Sequence, residues 1–162
     1  MNADSDLFEG IKVRGMFRVV IREPDKEEGE IVGDSGFCQN QITNDGFNQY
    51  LVSVLGAIAG SKQISHMGLG TGGAPATGAT TLANEVGTRQ AVTAATSSTS
   101  KTVRFTATFA AGWHSSGGAY NISNIGLFNS LSGGTLFAGN TYASSSCASN
   151  QAVNTTYDII FS

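Results

Sequence analysis

The stretch Gln63–Arg89, QISHMGLGTGGAPATGATTLANEVGTR, decides how the rest of the chain is read. It opens with Ile64-Ser-His66-Met-Gly68-Leu-Gly70, a short apolar run of strand character. A loop of Gly, Thr, Ala and Pro follows from Thr71 to Thr81, and Leu82-Ala-Asn84-Glu85-Val86 with Arg89 closes the segment. Small residues let a loop turn tightly and lie close against a neighbouring surface. Loops of this length in compact domains are either functional or disordered. The apolar anchors at both ends, Leu82 and Val86 at the far one, predict an ordered loop laid on a sheet, with the remaining segments in support.

Upstream, residues 1–10 (MNADSDLFEG) read as a flexible arm with Leu7 and Phe8 as anchors, either disordered or ordering on a partner. Ile11 to Arg22 alternates: Val13, Phe17, Val19 and Ile21 point one way, Lys12, Arg14, Arg18 and Arg22 the other. That is a half-buried strand with a basic outer face, which is either solvated or set against an anionic partner. Glu23–Gly29 is a polar turn whose carboxylates can pair across the hairpin with that face. Ile31 to Ile42 returns as a second strand, interrupted by Gly33 and Gly36. Thr43, Asn44 and Asp45 offer N-cap oxygens to a helix, with Phe47, Tyr50, Leu51, Val54, Leu55 and Ile58 at helical spacing and Gly60 as its stop. The apolar stripe of this helix is expected to cover one face or end of the sheet.

Downstream, Ala91–Ser100 is a weak strand ending in a Ser/Thr turn. Lys101–Phe109 alternates with Val103, Phe105, Ala107 and Phe109 inward, and Trp113–Gly118 turns the chain. Tyr120–Asn129 and Thr135–Tyr142 are strands joined at Ser132-Gly-Gly134, and a Ser-rich connection carrying Cys147 leads to a last strand with Val153, Thr155, Tyr157, Ile159 and Phe161 inward. Many short strands between Gly/Ser/Asn turns predict a mainly β protein, an antiparallel β-sandwich or jelly roll with one amphipathic helix packed on the sheet. The organisation is an arm (1–10) followed by one domain (11–162): a charged hairpin (11–42), the helix (44–60) and a main β body (61–162).

A chain of 162 residues with 40% hydrophobic content is large enough for one core. No run approaches the ~20 apolar residues of a membrane span, and the acidic, polar start does not read as a secretory signal. Folding in a reducing cytoplasm is the expectation, with Cys38 and Cys147 as free, partly buried thiols. Net charge is −3, but the charges are uneven: beyond Asp45 only Lys62, Glu85, Arg89, Lys101, Arg104 and Asp158 remain. So neutral a body has little to keep copies apart, which favours contacts between copies or with a larger assembly.

Candidate chemistry is sparse. Gly68-x-Gly70-x-x-Gly73 spells a dinucleotide fingerprint, yet Pro75 and the small residues after it deny the helix that must follow. His66 lies in an apolar strand, where a hydrogen-bonded core or interface role is expected, and His114 lies in a turn beside Trp113, where exposure is expected. Neither has companions at metal-ligand spacing. The serines occur in turn-like runs rather than in a nucleophile setting. No catalytic, cofactor-binding or metal site is expected. Glu85 and Arg89, four apart, can pair if LANEVGTR forms a turn of helix.

The succession ITNDGFNQYLVSVLG, ISHMGLGTGGAPATGATTLANEVGTR and ISNIGLFNSLSGGTLFA, from Ile42 to Ala138, resembles a pattern in tailed-bacteriophage virion proteins, both capsid cement (decoration) proteins and tail-fibre or collar proteins. Gly68, Gly70, Thr71, Pro75, Leu82, Asn84, Glu85, Val86, Arg89 and Ile125–Asn129 carry the resemblance. The charged first strand and hairpin are not part of it. The resemblance implies a trimeric sandwich on the outer capsid surface, bridging subunits of the major capsid protein and made in the host cytoplasm, with no nucleic-acid or membrane contact. Lys12, Arg14, Arg18 and Arg22 are the expected docking face, and Thr71, Gly72, Pro75 and Thr77 the expected neighbour contact. A tail or baseplate adaptor is the alternative, and a carbohydrate-binding sandwich using Trp113 and Tyr120 a second.

Overall fold

The computed structural model describes residues 11–23, 29–97, 101–114 and 118–162. The arm, residues 24–28 of the first turn, the Ser/Thr turn at 98–100 and residues 115–117 of the Trp113–Gly118 turn lie outside them. The chain is an antiparallel β-sandwich. One sheet has the order β2 (Ile31–Asp34), β1 (Val13–Arg22), β11 (Ala152–Phe161), β8 (Thr102–Phe109), β7 (Thr93–Ser97), with β3 (Cys38–Gln39) also on β1. The other has the order β4 (Gln41–Ile42), β10 (Leu136–Cys147), β9 (Tyr120–Phe128), β5 (His66–Gly70), β6 (Glu85–Ala91).

The two-residue period of each strand sends one set of side chains between the sheets. Phe17, Val19 and Ile21 from β1 meet Phe105, Ala107 and Phe109 from β8 and Val153, Tyr157 and Ile159 from β11. Met67, Leu69, Ile122, Ile125, Leu127, Phe137 and Tyr142 face them from the other sheet. Phe17 stacks on Tyr157 at 5.6 Å between ring centres and meets Tyr142 edge-on at 5.9 Å. Thr155, buried on the inner face, donates its hydroxyl to the Ala107 carbonyl (2.9 Å), so its polar atom is satisfied.

Several segments depart from the expectations. Ile31–Ile42 is not one interrupted strand but three short ones. Gly36, at φ +63°, turns the chain, and after Asn40 it leaves β1 to pair with β10 in the opposite sheet. The Ser-rich segment before Cys147 is not a connection but the second half of β10. LANEVGTR is not helical: β6 is a strand that bulges at Gly87 (φ +63°), the four-step interval Val86–Gln90 lying opposite the two-step interval Met67–Leu69. His114 is buried, not exposed, wedged edge-on between Trp113 and Tyr120, and Trp113 lies over Gly87. Cys38 is half-buried and Cys147 fully buried, both as free thiols.

The helix also differs. Thr43 caps its start as expected, accepting the Gly46 N–H (3.0 Å) while donating to the Leu136 carbonyl (2.6 Å). From Gly46 to Val52 it is π-helical, then makes one α-helical turn, Ser53–Leu55, and ends short of the expected boundary. Gly46 is pressed onto the backbone of β10, where any Cβ would strike the Phe137 carbonyl. Of its large apolar residues only Tyr50 is buried and Leu51 half-buried. Phe47, Val52, Val54, Leu55 and Ile58 face outward.

Candidate interaction surfaces

The Thr71–Thr81 loop folds over the outer face of the second sheet, and the glycines of the opening stretch explain how. Gly68, Gly126 and Gly139 stand in register across β5, β9 and β10. Their missing side chains leave a shallow floor. A Cβ on Gly126 would lie 2.7 Å from Leu136 Cδ1, one on Gly68 would lie 2.8 Å from Glu85 Oε1, and one on Gly139 would crowd Pro75 at 3.2 Å. At Gly70 a Cβ would meet Asn124 Oδ1 at 2.5 Å and two main-chain carbonyls, those of Asn84 and Ala83, at 2.7 and 2.9 Å. The GxGxxG spelling thus records close packing of a loop on a sheet rather than a phosphate cradle. Leu82, Phe128 and Leu136 form a small second core beneath the loop.

The sheet also holds the loop by its carbonyls. Ser123 donates to Gly72 O (3.2 Å), buried Asn124 to Gly73 O (3.2 Å) and Ala83 O (2.9 Å), the Asn44 N–H to Thr77 O (2.7 Å) and the Leu136 N–H to Thr80 O (2.9 Å). Of the expected contact residues, Pro75 is buried, Thr71 and Gly72 are half-buried, and Thr77 is exposed.

Arg89 closes the far end. The bulge at Gly87 brings it against Glu85, although regular strand geometry would put residues four apart at ~13 Å. Its guanidinium meets both Glu85 oxygens (2.6 and 2.9 Å), donates to the Ser130 and Gly133 carbonyls (3.0 and 2.6 Å) and lies 3.4 Å above the centre of the Phe128 ring. It is 7% exposed. The residues that carried the resemblance therefore converge on one packed locus and describe how the sandwich is built.

The basic residues of β1, with Lys12 just before it, separate in the same way. Arg18 makes a bidentate pair with Asp34 across to β2, and this hydrogen-bonded guanidinium, together with the Gly36 N–H, holds the Asp34 carboxyl down at about 2. Arg22 donates to the Gly29 carbonyl (2.9 Å). Lys12 and Arg14 stay exposed. Elsewhere on this outer face Arg104 pairs with Asp158 (2.7 Å), so much of the face is internally neutralised. Trp113 is 8% exposed and presents no platform for stacking a sugar. Among the described residues, no three His, Cys, Asp or Glu side chains are grouped to hold a metal ion.

The surface that the sequence reading did not single out is the helix. Phe47 (41% exposed), Val52 (59%), Val54 (50%), Leu55 (89%) and Ile58 (57%) fall within twelve residues, and no charged residue interrupts the chain between Asp45 and Lys62. Single exposed apolar residues are ordinary, but a cluster on one short element marks a contact surface. A signal for it was available. Apolar residues at 47, 50, 51, 52, 54, 55 and 58 cover more of a helix than one sheet edge can bury. Comparison with models of known protein families, with curated proteins and with solved structures finds no match to this chain.

Proposed function

We propose that this chain is a structural protein of a virion, of the capsid-cement type, which docks on the outside of the shell as a homotrimer and bridges subunits of the major capsid protein. The observation that carries the reading is the uncharged, outward-facing apolar surface of Phe47–Ile58 on a rigid, internally braced sandwich. A cement protein stiffens what it touches, so it requires closely packing neutral surfaces on a body that does not deform. Attachment at several points adds strength where each contact is modest, and in a closed trimer each copy meets the next head-to-tail. The resemblance of Ile42–Ala138 to phage virion patterns supports the same class of protein.

The test is to add purified protein to capsids assembled without it. Saturable binding together with a higher capsid disruption temperature is expected. Serine at Val54 and Leu55 should abolish both. Protein that neither binds nor stabilises such capsids sinks the proposal. A tail adaptor exposes a similar surface but is present in few copies per particle, so copy number in purified virions separates the two readings.

A further inference from the structure

The two long edges of β1 are unequally covered. β11 runs beside all of it on one side. On the other, β2 reaches Val20–Arg22, β3 reaches Met16 and Phe17, and the cover ends where the Asn40 N–H donates to the Gly15 carbonyl (3.0 Å). Beyond Asn40 the chain passes to β10 in the opposite sheet. Lys12 and Ser162 exchange both of their backbone hydrogen bonds (2.7 and 2.9 Å). The antiparallel ladder then turns the N–H and C=O of the next residue, Val13, towards the uncovered side. Among the described residues no strand pairs with Val13 there.

A recess of about 350 Å³ wraps around this edge. Strand alternation puts Val13 and Arg14 on opposite walls of it. On the Val13 side lies Ile42, and the Asn40 amide fills the place where a Gly15 side chain would start. Both polar atoms of that amide are shut from solvent and have no hydrogen-bond partner. Phe47 of the helix extends the apolar lining. Arg14 and the neighbouring Lys12 are exposed, and neither belongs to an ion pair among the described residues. Two like charges beside the edge repel the same edge of a second copy and attract an acidic strand.

We infer that this edge takes an extended, acidic segment of another protein, which adds a short antiparallel strand beside Val13. The residue opposite Val13 exchanges both backbone hydrogen bonds with it and turns its side chain to the Ile42 side of the recess. That position calls for one bulky apolar group. Its two neighbours alternate to the outer side, beside Lys12 and Arg14, where carboxylates match the unpaired charge. The expected pattern is therefore acidic, apolar, acidic over three consecutive residues. Such a strand covers hydrogen-bonding groups that natural sheets rarely leave bare. The inference stands apart from the capsid reading, because it rests on the edge of β1 and not on Val54 or Leu55.

The probe is an acetylated heptapeptide of threonines with a central phenylalanine between two glutamates, added to the full chain. Saturable binding at or below about 1 mM is expected, with slower amide exchange at Val13. Arg14→Glu should weaken binding about tenfold, and Lys101→Glu should leave it unchanged. Replacing both glutamates by lysine, or the phenylalanine by serine, should remove it. Methylating the peptide nitrogen of the phenylalanine deletes the bond to the Val13 carbonyl and should also remove it, whereas methylation one residue later should be tolerated. Val54→Ser with Leu55→Ser, expected to abolish capsid binding, should leave peptide binding intact, so the two proposals fail separately. Absence of saturable binding, indifference to the N-methyl group, or protection that maps away from residues 12–16 and 39–47 overturns the proposal.

Discussion

The Gly-rich loop at 71–81 and the helix at 44–55 exchange the roles that composition assigns them. The loop, small and polar, reads as a surface that reaches for a neighbour. In the fold its carbonyls at Gly72, Gly73, Thr77 and Thr80 are held from within and its proline is buried. The helix, apolar and periodic, reads as core. In the fold it buries Tyr50 and half of Leu51 and turns four large apolar residues outward, with Ile58 exposed just beyond its end. Amphipathic spacing shows that a helix has a preferred contact face, not that the contact lies in the same chain. Glycine in a strand marks where another backbone approaches, and the approaching backbone can be the chain's own loop.

The sharpest way to break this comparison is to remove the clamp on the loop side. Arg89→Ala leaves Glu85 and two carbonyls without their donors and uncovers Phe128. A loss of about 3 kcal/mol in urea unfolding is expected, and a loss below about 1 kcal/mol would show that the pair is only surface decoration. Within the helix, Tyr50→Ala should cost a similar ~3 kcal/mol. Leu55→Ala should change stability by less than about 0.5 kcal/mol while reducing assembly, because its side chain touches little of its own chain. Equal losses at the two positions would erase the distinction between the inward and outward faces.

The glycine floor allows an internal control. Gly70→Ala forces a Cβ against two carbonyls and should destabilise by ~1–3 kcal/mol. Gly73→Ala meets nothing within 4 Å and should be neutral or slightly stabilising. Equal effects at the two sites would show that the loop does not lie where it is described.

The smallest effect concerns Arg18 and Asp34. Folding lowers the Asp34 carboxyl from 3.8 to about 2, so the pair contributes stability above the unfolded value and loses it as pH falls through the folded one. Thermal melts taken between pH 4 and pH 2 should show a shallower decline for Arg18→Met than for the parent protein. The difference should be slight because the pair is solvent-exposed. Parallel curves would mean that the Gly36 N–H alone sets the carboxyl.

How much was legible follows from the range of each interaction. The inner faces of β1, β8 and β11 were readable because strand periodicity is local and one face must be dry. The Glu85–Arg89 pair was readable as a pair, but its scaffold was not. Proximity four residues apart resembles a helical turn until the Gly87 bulge and its pairing with β5 are known. His114 was misread because burial in a turn depends on Trp113 and Tyr120, which close over it from separate elements.

By itself the sequence determined the β class, the alternating core, the cap at Thr43 and the concentration of charge in the first section, because each follows from neighbours along the chain. Only the tertiary structure decided that Ile31–Ile42 divides between two sheets, that the loop lies on a floor of three aligned glycines, and that the apolar helix faces out. Those outcomes depend on which distant surfaces were already filled: a loop can lie down only where side chains are missing, and a helix can bury only what the sheet leaves uncovered.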